Sequence, residues 1–199
     1  MKIKFLIPDD SQRHRFCINC NTEYPKEVTS AFHCERCGRD SDRVIDIDPQ
    51  VVYWVDPKTL EYWHESVGVF VINKNQEILL IERTLYPVGL CTIPAGHLDI
   101  NEIPKEGAIR ELFEETGIAT TEISLIVDLP MTDDSCRRGS DCHLWHLYRY
   151  RLEESVQIKV DQGEGKNPIW TTRENALQMK LTSPVKYFLE HYSDKIFDH

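Results

Sequence analysis

Two groups of residues in this chain have the types and spacing to do chemistry. Glu111, Glu114 and Glu115 crowd into "RELFEETGI", and four cysteines stand as two pairs, Cys17-x2-Cys20 and Cys34-x2-Cys37, thirteen residues apart. Like charges at i and i+4 on a helix cost about 0.2 to 0.5 kcal/mol per pair, a penalty that a bound divalent cation reverses. The competing explanation is a solvated acidic face. Thiolates two residues apart can hold one Zn2+ at about 2.3 Å, and four of them leave no open position, so such a site is structural rather than catalytic. A redox pair of CxxC motifs would need a βαβ context, and this segment is too short and polar to supply one.

The elements that must position these groups can be read from punctuation and periodicity. Pro104 and Gly117 bracket a helix from Pro104 to Thr116. At 3.6 residues per turn its three glutamates lie within about 100° of one another, with Ile109, Leu112, Phe113 and Thr116 on roughly the opposite side. Val67 to Ile72 and Glu77 to Arg83 are β-rich runs around the turn-forming "NKNQ", and Ile123 to Leu129 and His143 to Leu152 read as further strands. A short strand is expected at Val51 to Val55. Further helices are expected at Arg173 to Met179 and Pro184 to Tyr192, the latter with Ser183 and Pro184 as N-cap and first residue. The class is mixed α and β.

Composition bounds the function. The chain has 199 residues, 41% of them apolar, enough for one core and a small satellite module. A formal charge of -10 argues against a general nucleic-acid binder. No export signal opens the chain and no apolar run approaches the roughly 20 residues of a membrane span, so the expected compartment is the cytoplasm, with no membrane partner. Residues 1 to 48 carry 8 Lys and Arg against 9 Asp and Glu, which is not a basic patch. Packing on the larger domain or homodimer formation is the expected role of the N-terminal module, with RNA contact the minority option. The division is placed at residues 1–49 and 50–199.

The cysteine pairs resemble a zinc ribbon over residues 14 to 42. Gly96, five residues, Glu102, seven residues and "RELFEETGI" resemble the Nudix box, G-x5-E-x7-R-E-U-x-E-E-x-G-U with U aliphatic, and every position fits. The resemblance implies an α+β fold, a mixed sheet flanked by helices in an α/β/α sandwich, preceded here by the ribbon. It further implies a pyrophosphohydrolase that uses Mg2+ or Mn2+ to cleave a nucleoside diphosphate linked to another group. Glu111, Glu114 and Glu115, with the carbonyl of Ala95, are then the metal ligands. Arg110 and Glu102 orient them, and Glu164, in the loop before the last strand, is a candidate additional ligand. Gly107 stands where the family commonly has alanine, which points to close backbone packing.

Substrate identity is less legible. A ribbon before the box is partly similar to the NADH pyrophosphatases, but their SQPWPFP-like array is absent from residues 119 to 130, "ATTEISLIVDLP". Pro130 is a weak echo of the proline in ADP-ribose-cleaving members. Arg137 and Arg138 are candidates to clasp a distal phosphate, against the plainer reading of a solvated charge run. Trp145, His146 and Tyr148 are expected to serve mainly as core residues. Cys91 reads as a small buried residue. Cys136, Cys142 and His143 are not expected to form a second metal site, because neither knuckle spacing nor a fourth ligand is evident. The alternative function is a nucleotide-sensing module that uses the ribbon to contact a partner. The intact box argues against it.

Overall fold

The computed structural model describes residues 1–24, 31–154, 156–161 and 163–198; residues 25–30, within the expected ribbon, and Gln162 lie outside the described residues. The N-terminal part contains β1 (His14–Cys17), β2 (Phe32–Cys34), β3 (Arg39–Ser41) and β4 (Val44–Ile47). Strands β1 and β4 pair antiparallel, as do β2 and β3, so the four cysteines fall at strand ends and in the turns that follow.

The main sheet is built from β5 (Tyr53–Val55), β6 (Tyr62–Ile72), β7 (Ile78–Arg83), β8 (Cys91–Thr92), β9 (Ala95–His97), β10 (Ser124–Thr132), β11 (Cys142–Arg151) and β12 (Gly165–Thr171). Its path runs β10-β11-β6-β7-β12, with β5 and β9 joined to β6 and β8 joined to β7. The β6–β11 pair is parallel and the others antiparallel, which makes the sheet mixed. The "NKNQ" turn forms because Asn73 Oδ1 accepts from the backbone N–H groups of Asn75 at 2.9 Å and Glu77 at 3.0 Å. The expected strand at Val51 to Val55 is shorter, because Val51 leaves the sheet to bridge Asp99.

Helix α1 (Pro104–Thr116) has the expected bounds, ending at Gly117 with φ 73°, a left-handed cap that glycine adopts without steric cost. Its Ala108 and Leu112 pack on one sheet face, over Val67, Val69 and Leu79. Helices α2 (Arg173–Ala176), α3 (Ser183–His191) and α4 (Ser193–Phe197) cover the other, where Phe70, Leu80 and Leu147 meet Val185, Phe188 and Ile196. The result is an α/β/α sandwich. The element expected to run to Met179 closes after a single turn held by the Thr172 side chain, which accepts from Asn175 N–H.

A third apolar cluster joins the N-terminal strands to the sheet. Phe16, Ile45 and Ile47 pack with Tyr62, whose hydroxyl donates to the Asp46 carbonyl at 2.8 Å. Arg43 reaches across to residues 136–141, donating from Nε to the Cys136 carbonyl at 2.8 Å and from Nη2 to the Ser140 carbonyl at 2.7 Å and Asp141 Oδ1 at 2.6 Å. The N-terminal strands thus pack against the main sheet and the loop before β11.

Candidate active site

The cleft beside α1 has a volume of about 720 Å³ and is floored by β9 and the glutamates of α1. The three acids differ more than their helical spacing suggests. Glu115 is buried, Glu111 half-buried and Glu114 exposed, while Phe113, expected on the buried side, is 55% exposed. The buried stripe of α1 runs through Ala108, Leu112, Glu115 and Thr116, so the acids span the boundary between core and cleft instead of sharing one solvated face.

Glycine at position 96 makes room for a carboxylate. A Cβ there would lie 2.0 Å from Glu111 Oε1, so the missing side chain is the space the carboxylate occupies. The neighbouring Ala95 N–H donates to Glu115 Oε2 at 3.0 Å. Arg110 forks onto Glu102, Nε to Oε1 at 2.8 Å and Nη2 to Oε2 at 2.9 Å, and its Nη1 donates to Glu111 at 2.7 Å and Glu114 at 3.1 Å. Such a bidentate fork fixes geometry as well as charge. Glu102 in turn accepts from Asp99 N–H at 3.1 Å, closing the loop that leads into the helix. Gly107 is also explained, since a Cβ there would lie 2.8 Å from both Glu102 Oε2 and Leu98 Cδ1.

Electrostatics mark the same spot. Burial, with the charges of Glu114 and Glu164 adding, pushes the Glu111 carboxyl up to about 7 despite its bond to Arg110. Burial and the charge of Glu111 hold Glu115 well above the usual carboxylate range. Glu102 goes the other way, lowered by its hydrogen bonds from Arg110. One half-buried and one buried carboxylate, both unfavourable as bare charges and both lining the cleft, are oxygen donors of the kind a hard divalent cation takes.

Other expected residues divide. Glu164 lines the cleft, as does Asp161 from the same loop. Arg137 faces the cleft too. Arg138 lines the cleft as well, and its Nη1 lies 2.8 Å from Asp48 Oδ2 and 3.7 Å from Asp46 Oδ2, so part of its charge is balanced by these buried carboxylates. Pro130 sits exposed on the sheet's edge strand, where a missing N–H is tolerated, and is not among the lining residues. Trp145 and Tyr148 are core residues, and half-buried His146 pairs with Asp128 at 2.7 Å. Cys91 is buried.

Sequence reasoning missed Arg83, which lines the cleft with its Nε buried and unpaired while Nη2 donates to the Tyr86 carbonyl at 3.0 Å. No local motif marks it. It also missed a second cluster, in which His64 and His97 join Cys136 and His143. Cys142, the partner weighed for that pair, is not part of it.

In the ribbon, Cys17 and Cys37 sulfurs lie 3.8 Å apart and those of Cys20 and Cys34 3.7 Å apart. Tetrahedral thiolates at about 2.3 Å from an ion stand about 3.8 Å from each other, so the set is compatible with zinc. His33 is outside it, paired with Asp40 at 2.8 Å.

Residues 62–192 match the family model of the NUDIX domain. The chain belongs to the Nudix family. Among Nudix relatives, the RNA pyrophosphohydrolase of Cereibacter sphaeroides strain KD131 is 33% identical over 123 residues, 55% of this chain and 75% of that protein. The RNA pyrophosphohydrolase of Brucella anthropi is 37% identical over 129 residues, 56% of this chain and 72% of the other. The Nudix fold extends to the NUDIX domain of Shewanella oneidensis NrtR complexed with ADP ribose, at TM-score 0.59 and 19% identity over 70% of this chain and 92% of that one. The MutT protein of Methanosarcina mazei Go1 superimposes at TM-score 0.58 and 22% identity over 67% and 94%. The chain is a pyrophosphohydrolase of this family.

Proposed function

We propose that this chain hydrolyses a phosphoanhydride bond in a nucleoside diphosphate derivative, using Mg2+ or Mn2+ held by Glu111, Glu114, Glu115 and the Ala95 carbonyl. The observation that carries the reading is that two carboxylates with raised pKa values, Glu111 and Glu115, line one cleft beside β9, Glu111 in the space that a Cβ on Gly96 would fill and Glu115 on the Ala95 N–H. When bound, the ion neutralises the anhydride and lowers the pKa of a water ligand. Arg110 and Glu102 are positioning residues that hold the first carboxylate in place. Glu164 and Asp161 bring further carboxylates to the cleft, and Arg137 and Arg83 bring positive charge for the phosphates.

The division into residues 1–49 and 50–199, with a structural zinc on Cys17, Cys20, Cys34 and Cys37, belongs to the same reading. Seven unpaired thiols fit a reducing compartment such as the cytoplasm.

The name RNA pyrophosphohydrolase, carried by relatives 33 to 37% identical, favours RNA as a second substrate. One panel separates the two. Turnover of ADP-ribose, NADH, dinucleoside polyphosphates, nucleotide sugars, nucleoside triphosphates and a 5′-triphosphorylated oligoribonucleotide is measured with Mg2+ and Mn2+, and the products are identified. Cleavage at a phosphoanhydride is expected, with NADH not the best substrate because the array after the box is missing. An advantage of about tenfold or more in kcat/KM for NADH over every other compound would overturn the substrate inference. No turnover of any member would return the sensor reading to favour.

A further inference from the structure

The wall of the cleft gathers three histidines and a cysteine. His64 comes from β6, His97 from β9, His143 from β11, and Cys136 from the loop before β11. One ligand atom from each lies within 4.8 Å of all the others. Cys136 Sγ stands 3.6 Å from His64 Nδ1, and the His64 ring centroid lies 4.7 Å from that of His97 and 5.7 Å from that of His143. Donors bound tetrahedrally at about 2.0 to 2.3 Å stand roughly 3.3 to 3.8 Å apart, so small side-chain movements close the set on one ion.

The sheet register brings these residues together. His64 and His143 are direct partners in the parallel β6–β11 pair, and His97 pairs with Ser66, two residues further along β6. Buried polar nitrogens are normally hydrogen-bonded. Here His64 Nε2, His97 Nε2 and His143 Nδ1 are all buried without a hydrogen-bond partner. Asp134 Oδ2 is 3.0 Å from His143 Nδ1 but off the line of a hydrogen bond, and it accepts from Trp145 Nε1 at 2.7 Å. A carboxylate behind a ligating histidine is a common outer layer of a metal site.

We propose that His64, His97, Cys136 and His143 bind a second zinc-class transition-metal ion, separate from the ribbon and from the hard divalent cation of the glutamates. Three imidazoles and one thiolate suit Zn2+, whereas Mg2+ prefers oxygen donors and an octahedral shell. Four protein ligands leave no position for substrate, so the ion's role is to brace the cleft wall. It fastens the loop carrying Arg137 to β6, β9 and β11. The assignment does not depend on which anhydride the enzyme cleaves.

The test is metal stoichiometry. Full-length protein is reconstituted with excess Zn2+, stripped of loose metal by brief EDTA and gel filtration, and analysed by plasma mass spectrometry. About two zinc ions per chain are expected, and about one each in Cys136→Ser, His143→Gln and Cys17→Ser. One ion in the parent with none in Cys17→Ser would overturn the proposal, as would full parental content in Cys136→Ser. If the variants fail to fold, the parent's zinc content is read together with the labelling of Cys136 in the parent. Iodoacetamide labelling with peptide mapping should show Cys136 protected in the zinc-loaded protein and modified after zinc removal, with excess Mg2+ giving no protection. Equal labelling in both states would overturn the site.

Discussion

Replacing Glu115 by glutamine is expected to lower kcat by about 100-fold or more without loss of the fold. The amide oxygen can still accept from Ala95 N–H, so the local hydrogen bond survives. What disappears is a charge. Because burial and Glu111 raise the folded-state pKa of Glu115 above its unfolded value, the ionised carboxylate destabilises the metal-free protein once pH rises above the ordinary carboxylate range. The variant should therefore melt no lower than the parent in EDTA at alkaline pH. Adding Mg2+ should raise the melting temperature of the parent more than that of the variant. Melting curves in EDTA and Mg2+, beside steady-state kinetics on the best panel substrate, check both halves. Turnover equal to the parent's at low millimolar Mg2+ would remove Glu115 from the chemistry.

Cys17→Ser should act on stability first. The sulfur is fully buried at the end of β1, with Cys37 at 3.8 Å, and a three-thiolate remnant forfeits much of a metal-binding free energy that is on the order of 10 kcal/mol in zinc-dependent modules. A large drop in melting temperature or loss of soluble protein is expected, together with loss of the ribbon's zinc. Activity should fall with it, because Arg43 ties the ribbon to the carbonyls of Cys136 and Ser140 in the cleft wall. A variant that lacks this zinc and melts with the parent would show that the ribbon contributes nothing to the fold.

The bounds of α1 were legible because Pro104 and Gly117 act locally: one presets φ, the other takes the left-handed cap. The meaning of Gly96 was legible only as part of a pattern, and its cause, the Glu111 carboxylate lying where a Cβ would stand, is a contact between residues fifteen apart. Periodicity misplaced Phe113 and underestimated the burial of Glu115, since which part of a helix faces the core is decided by what packs on it. The ion pairs of Arg138 with Asp46 and Asp48 were not legible because those partners stand about ninety residues earlier. The histidine cluster escaped for the same reason. His64, His97 and His143 share no spacing rule, and only the pairing of β6 with β9 and β11 brings them together.

Arg43 has a kinetic consequence. Its hydrogen bonds join residues 93 to 98 positions apart, and the Arg138 bond to Asp48 spans 90. Contacts at such separation form slowly, after the local β6–β7 hairpin and α1 can already have condensed. Docking of the ribbon is then a late event, and interactions absent from the folding transition state act mainly on escape from the native basin. Arg43→Ala should accordingly accelerate unfolding in denaturant much more than it slows refolding, a split that stopped-flow measurements resolve directly. Equal changes in both limbs would place the ribbon in the folding nucleus. Late docking makes the N-terminal segment, which leaves the ribosome before the main sheet does, among the last parts to reach its final place.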